Sequence, residues 1–260
     1  MATGNRLMLT SWGPWSDKAY FLDKMTLGDL VRAFFTHYSI QAYLVLACLA
    51  AAASLYLTTT FWQPLVAGVV TVAVYPLVEY LVHRFVLHST FLFKHKATAK
   101  VWKRIHYDHH QNPHDLSVLF GALYTTLPTI ALIAFPIGWL VAGFSGGFAA
   151  FAAACIVFCG YEFVHCVQHL PFTPRLTWLR DLKKRHLAHH FHSEQGNFGI
   201  TSNMWDHVFG TFYAQPKDRP KSATVHNLGY TGEARKQWPW VAELSADDDT
   251  YAIRRHRRAA

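Results

Sequence analysis

Four long apolar segments alternate with polar, histidine-bearing stretches along the chain, and this alternation predicts the fold. Ile40–Leu57 is nearly free of polar groups and about long enough to cross a hydrocarbon core of roughly 30 Å. Pro64–Val82 is the second segment, with Glu79 near its end. Leu116–Phe135 is the third, interrupted by Pro128, which a helix among buried neighbours tolerates. Phe148–Val164, rich in Ala and Cys, is the fourth and carries Glu162 near its end. Only Thr58–Gln63 separates the first two, so they form an antiparallel hairpin, and a Gly-rich stretch, Gly138–Gly147, joins the last two. Neither connector has a Lys or Arg. Lys94, Lys96, Lys100, Lys103 and Arg104 lie in the central polar stretch, and Arg175, Arg180, Lys183, Lys184 and Arg185 follow the fourth segment. The positive-inside rule then places both termini and the polar stretches in the cytoplasm. The expected architecture is all-α: an integral-membrane four-helix transmembrane bundle with a cytosolic helical cap.

Tyr20–Tyr38 mixes Phe21, Leu22, Met25, Leu30, Phe34 and Phe35 with Lys18, Lys24 and Arg32 nearby. It reads either as an amphipathic helix in the headgroup plane or as an ordinary packed helix, with Thr26 and Asp29 at capping spacing. The chain divides into an N-terminal segment (1–38), a membrane and cap domain (39–213) and a polar C-terminal tail (214–260). In that tail Asp247–Asp249 and Arg254–Arg258 read as loosely ordered. Met1–His37 lacks the continuous apolar run of a cleavable signal peptide, so the first span is expected to direct insertion.

Composition sharpens this picture. Apolar residues make up 52% and charged residues only 15%, well under the quarter or so usual in soluble domains. The net charge of +8 comes with no nucleic-acid-binding motif, so no nucleic-acid partner is expected. Cys48, Cys155, Cys159 and Cys166 sit in apolar segments without CxxC spacing and read as buried, reduced thiols.

Ten of the seventeen histidines fall into four groups: His83/His88, His106/His109/His110, His165/His169 and His186/His189/His190. Each lies at or just beyond the end of an apolar segment. Neutral imidazole is the commonest nitrogen ligand for transition metals, and ten rings are too many for one ion, so a two-metal centre is the natural reading. At i, i+3 and i+4 the three rings of each HxxHH box share one helix face, as do His165 and His169. His83 and His88 differ, because five residues turn a regular helix about 500°, some 140° out of line. They are expected to bind different ions unless the helix ends between them.

Other polar residues near the boxes are candidates for support. Glu79 and Glu162 are expected to accept the free N–H of ligating imidazoles; a mixed carboxylate site through Glu162–His165 is the alternative. His114, His192 and His207 read as supporting or structural, His95 as solvated, and His37, His226 and His256 stand alone. Asp206 is expected to orient an imidazole, and Trp205 with Asn203 to wall a substrate slot; a simple turn capping the cytosolic part is the competing reading. Lys183, Lys184 and Arg185 contact either lipid headgroups, an electron donor or solvent.

These residues resemble the fatty acid hydroxylase/sterol desaturase superfamily of integral-membrane histidine-box enzymes, and most of all fatty acid 2-hydroxylases. EYLVHRFVLH (Glu79–His88), KRIHYDHH (Lys103–His110), YEFVHCVQH (Tyr161–His169) and KKRHLAHHFHSEQGNFGITSNMWDHVFGT (Lys183–Thr211) carry the likeness, in order. Leu116–Leu119, LSVL, departs from the RLVxPP-like stretch of the eukaryotic 2-hydroxylases. The resemblance implies oxygen-dependent hydroxylation of a lipid acyl chain, free or sphingolipid-bound, with the ten histidines holding two iron ions and O2 as oxidant. Zinc is redox-inert and cannot run this chemistry, although it can replace iron in a purified protein. No haem-binding HPGG motif is present, so a separate cytochrome b5-like or ferredoxin-like carrier is expected to supply electrons. Sterol desaturase or C4-methyl oxidase and carotenoid hydroxylase activities are the neighbouring alternatives. A membrane metal-binding protein or transporter is the alternative of another class; the absence of Asp, Glu and His from the middle of the apolar segments speaks against transport.

Overall fold

The structure, a computed structural model, describes residues 20–246; the Asp247–Asp249 and Arg254–Arg258 runs and His256 lie outside the described residues. Among these residues the fold is helical, with a single isolated bridge, Phe21 to Asp115, in place of sheet. Helix α1 (Leu27–Thr36) begins at the expected cap: Asp29 N donates to Thr26 Oγ1 at 3.2 Å, and Thr26 N donates back to Asp29 Oδ2 at 2.9 Å. Leu30, Ala33 and Phe34 face the core, while Leu27, Val31 and Phe35, four residues apart, stay exposed. Helix α2 (Tyr38–Leu57) follows immediately, with His37 as its N-cap. Helix α3 (Trp62–Val82) comes next and continues into a π-helical turn, His83–Leu87. Although only a short connector joins them, α2 and α3 do not pair as a hairpin; each packs against the long helix that follows.

The polar stretch then forms α4 (Lys96–Trp102), a second π-turn (Lys103–Tyr107) and two single turns, α5 (Asp108–Gln111) and α6 (Leu116–Leu119). The third apolar segment therefore does not start a spanning helix at Leu116. The chain is extended at Phe120 and Ala122, and the long helix α7 begins at Leu123 and runs to His169. It passes through Pro128 and Pro136 but breaks at Ala142 and Gly143, where Gly143 takes φ +57°. Beyond the break the chain folds back on itself. A Cβ added to Gly138 would lie 2.0 Å from the carbonyl oxygen of Gly146 and 2.4 Å from the Cβ of Ala150, positions well over 10 Å away along a continuous helix. Two limbs, 123–141 and 144–169, thus cross tightly through small residues. Ser54 Oγ and Ser145 Oγ exchange hydrogen bonds with each other's carbonyls at 2.8 and 3.0 Å, tying α2 to the same end of the bundle.

Three helical stretches are long and apolar enough to cross a membrane: Tyr38–Leu57, Trp62–Lys94 and Leu116–His169, the last containing both limbs. Their outward side chains, among them Leu49, Val69, Leu132 and Leu140, are exposed apolar surface. At 26 residues, limb 144–169 reaches about 39 Å, longer than a hydrocarbon core of roughly 30 Å. The α3 stretch through Leu87 is as long. Helix α8 (Thr177–Phe191) packs against α7, and the short α9 (Met204–Val208) against α3. A second core seats the polar side: Phe93, Trp102, Tyr107, Leu228, Tyr230 and Val241 pack together, the last from α11 (Trp240–Ala246), which follows α10 (Gly232–Gln237). Trp102 Nε1 also donates to Leu87 O at 2.9 Å, anchoring the π-turn.

Candidate metal centre

All ten histidines of the four boxes converge, in two groups of five. One group is His83, His88, His106, His110 and His189; the other is His109, His165, His169, His186 and His190. Within each, one nitrogen per ring lies within 4.8 Å of the others. Each HxxHH box is divided between the groups. Its i and i+4 rings enter one group and its i+3 ring enters the other, so His109 and His189 cross over. The rings of a box face the same side of their helix, as the spacing predicts, yet the roughly 100° between neighbouring positions 109 and 110 separates them by site.

His83 and His88 share one group rather than binding different ions, which the spacing allows only where regular helix gives way. The regular helix stops at Val82, and the following turn is π-helical, with His88 N donating to His83 O at 3.1 Å. An i to i+5 turn brings positions five apart nearly into register. Their Nε2 atoms end 3.2 Å apart.

The nitrogens are arranged as a donor set. His88 Nε2 lies 3.2, 2.8 and 3.1 Å from the Nε2 atoms of His83, His106 and His189. One imidazole nitrogen holds either one proton or one lone pair, so hydrogen bonds cannot satisfy three such neighbours. A shared cation can. In the second group both nitrogens of His109 and of His190, Nε2 of His165 and Nδ1 of His169 and His186 are buried without a hydrogen-bond partner. Buried polar atoms are rarely left so, and ten of these rings in one place fit two transition-metal ions. Burial pushes the pKa of His106, His109, His186, His189 and His190 well below the usual imidazole range, with neighbouring imidazoles adding to the effect, and lowers His110 to about 3. The rings are neutral at pH 7, the form that ligates metal.

Backbone carbonyls orient three rings of the first group. Nδ1 of His83, His110 and His189 pairs with the carbonyls of Phe198 (2.5 Å), Val225 (2.9 Å) and Gly196 (2.8 Å). With Nδ1 as donor, Nε2 is left as the free lone pair. Carbonyls carry no side-chain signal, so nothing in the residue pattern marks these partners.

The supporting carboxylates act differently from expectation. Glu79 touches no imidazole; it accepts from Ile200 N (2.6 Å), Thr201 N (3.0 Å) and Thr201 Oγ1 (2.5 Å). Asp206 accepts from Phe198 N (2.8 Å), Gly199 N (2.7 Å) and Thr211 Oγ1 (2.7 Å). Both fasten the 198–201 loop, and so orient His83 at one remove. Glu162 is buried with Oε2 unpartnered and lines a cavity rather than meeting an imidazole. His192 bonds Arg219 O at 2.7 Å, and exposed His207 stacks on Phe212, so neither joins the groups. His114 approaches His169 through its carbonyl, at 3.2 Å. Lys183 donates to the carbonyls of Leu170 and Phe172, and Arg185 to that of Ala214; both hold the cap together.

An apolar cavity opens onto both groups, lined by His83, His106, His109 and His165 at one end. It runs between α3 and both limbs of α7 toward Thr71 and Ile137. From His83 to Thr71 is about 18 Å at helical rise, close to one leaflet of a roughly 30 Å hydrocarbon core. Trp205 and Asn203 do not line it; they sit on and beside α9, which lies against α3, away from the slot. Val118 and Leu119, in the stretch that departs from the eukaryotic pattern, do.

Paired histidine clusters that could hold metal ions, at one end of a bundle with three helices long and apolar enough to cross a membrane, set the class of site. The chain belongs to the fatty acid hydroxylase family, whose model matches residues 68–211. It is 35% identical over 150 residues to the ceramide very long chain fatty acid hydroxylase of Saccharomyces cerevisiae, covering 55% of this chain and 37% of that one. It is 34% identical over 143 residues to the dihydroceramide fatty acyl 2-hydroxylase of Arabidopsis thaliana, covering 51% and 54%, and 28% identical over 154 residues to the fatty acid 2-hydroxylase of Rattus norvegicus, covering 56% and 39%. A solved structure described as full-length scs7p, with only the hydroxylase domain visible, superposes with a TM-score of 0.59 at 26% identity, over 77% of this chain and 71% of that one. The chain thus spans between about a third and about half the length of these curated relatives.

Proposed function

We propose that this chain hydroxylates the acyl chain of a membrane lipid, next to its carbonyl end. The observation that carries the reading is the apolar cavity about one leaflet deep that ends on both histidine groups. In this reading four rods span the bilayer: α2, α3 and the two limbs of α7. The histidine groups and both termini lie on the cytoplasmic side, where the Lys and Arg residues concentrate. Helix α1 lies along that face, its exposed Leu27, Val31 and Phe35 dipping into the interface.

The residues divide the work. Val74, Val78, Ile133 and Phe158 pack the acyl tail and keep water from the reacting carbon. His83, His88, His106, His110 and His189 hold one metal ion, and His109, His165, His169, His186 and His190 hold the other. Iron in these sites would supply redox activation of O2: with two electrons from a separate carrier protein and two protons, one oxygen atom would enter the C–H bond and the other would leave as water. Glu79 and Asp206 keep the 198–201 loop, and through it His83, in its ligating orientation. Rigid placement of the acyl chain against this centre sets which carbon reacts. Lipid mass spectrometry of cells with and without the intact chain tests the reading. Acyl lipids that gain one oxygen atom are expected; conversion of sterols or carotenoids alone would refute it.

A further inference from the structure

The cavity has a charged end that the metal-binding histidines do not explain. Arg104 lines it beside Ile105 and His106, the one Lys or Arg among its lining residues. The guanidinium is half-buried; Nη2 donates to Phe120 O at 3.1 Å and Nη1 to Val118 O at a long 3.4 Å. The ion pairs among the described residues are Lys103–Asp108 and Lys236–Glu233, so Arg104 makes none, although Glu162 on the same cavity wall lies near enough to interact with its charge. A guanidinium stays charged and offers five N–H donors in a planar fork that matches carbonyl and carboxylate oxygens. A guanidinium that lines an apolar cavity without an ion pair keeps N–H donors to satisfy, and a ligand oxygen can satisfy them. Arg104 also stands two residues before His106 in the π-turn, within one helical pitch of about 5.4 Å. The cavity therefore has a direction: charged beside the histidines, apolar toward Thr71 and Ile137.

We propose that Arg104 receives the carbonyl-end oxygen of the acyl substrate and so holds the neighbouring carbon in front of the metal centre, with the tail running toward Ile137. The inference rests on the acyl-hydroxylase reading and adds to it the group that sets position. A carboxylate presents two oxygens and a charge to the fork, an amide one oxygen, and both share the chemistry that Arg104 recognises.

The test uses the full chain reconstituted in vesicles, with three radiolabelled probes of equal chain length: palmitic acid, palmitamide and hexadecane. Arg104→Met keeps the side-chain bulk and removes the charge. It is expected to retain the wild-type metal content and to bind palmitic acid and palmitamide about tenfold or more weakly, the size of one hydrogen bond to a charged group. Hexadecane binding is expected to be unchanged, and the remaining oxidation to spread to carbons farther from the carbonyl. A larger loss for palmitic acid assigns the site to a carboxylate, and equal losses to any acyl carbonyl. Arg104→Met that binds all three probes as the wild type does, with the same product positions, overturns the proposal. If that variant loses its metals, Arg104→Lys replaces it, with the product spread as readout; unchanged positions then overturn the proposal. A wild type that discriminates by the carbonyl but oxidises nothing would remove the hydroxylase reading while leaving Arg104 in its place. A wild type that hydroxylates and is matched by Arg104→Met would do the reverse.

Discussion

The two five-histidine groups look alike in composition and differ in what holds them. The second is set by helices alone: His165 and His169 are one turn apart on α7, His186 and His190 one turn apart on α8, and His109 enters from α5. The first depends on irregular backbone. It needs the π-turn that aligns His83 with His88, and carbonyls at positions 196, 198 and 225 that fix three rings. Helix packing places a ligand pair directly, whereas the loop-built group relies on the partners of its partners. The first group is therefore expected to be the more fragile one.

The largest effect is expected from the crossing ligands. His109→Ala and His189→Ala each remove one nitrogen from one group while leaving the rest of the same box in the other. Each variant is expected to retain one metal ion per chain instead of two and to lose hydroxylation altogether, read by elemental analysis and product mass spectrometry. Loss of both ions from His189→Ala with only one lost from His109→Ala would show that the loop-built group supports the helical one.

Acid comes next. The buried rings of His106, His109, His110, His186, His189 and His190 have folded-state pKa values below the unfolded 6.5. The unfolded chain therefore binds more protons as pH falls through about 6.5, so the stability of the metal-free protein declines from there toward about 3, the value His110 reaches. Thermal melts of chelator-treated protein across that window are expected to show a steady fall, and a flat profile would mean the rings are not packed as described. Bound metal competes with protons for the same nitrogens, so the loaded protein is expected to hold its stability to lower pH.

What the residue pattern disclosed follows the same divide. Clustered histidines, apolar runs and the Thr26–Asp29 cap are local features, and each is legible because the relevant contact lies within a few positions. The hairpin turn in α7 was visible as a Gly-rich stretch, although only Ala142 and Gly143 leave helical geometry. The pairing of His83 with His88 was hidden, because a π-turn is not encoded by any periodicity that assumes 3.6 residues per turn. The role of Glu79 is hidden for a different reason: its partners, Ile200 and Thr201, are more than a hundred residues away, whereas His83 stands only four positions on. Trp205 and Asn203 drew attention through their motif, yet the cavity wall is made by α3 and α7.

The carboxylates that fasten the loop offer a finer test. Glu79→Ala and Asp206→Ala each strand buried N–H groups at 198–201, at a cost of about 1–3 kcal/mol per unsatisfied group. Both are expected to lower the melting temperature and to weaken metal binding about 10- to 100-fold, at the first group only. Spectroscopy of cobalt-substituted protein separates the two sites, and equal weakening at both would erase the distinction between loop-held and helix-held ligands.

The smallest effect is expected where a histidine looks eligible and is not. His207 lies close in sequence to the last box, but its ring is exposed and stacks on Phe212 at 3.9 Å between centroids. His207→Ala should leave metal content at two ions per chain and shift stability by no more than about 0.5 kcal/mol, as surface substitutions usually do. Its neighbour Asp206 is fully buried and bonded to the loop, so the pair isolates placement from motif. If His207→Ala reduced metal binding as Asp206→Ala is expected to, the loop-built group would have to extend through α9 to the surface, and its fragility would lie there rather than in the 196–201 carbonyls.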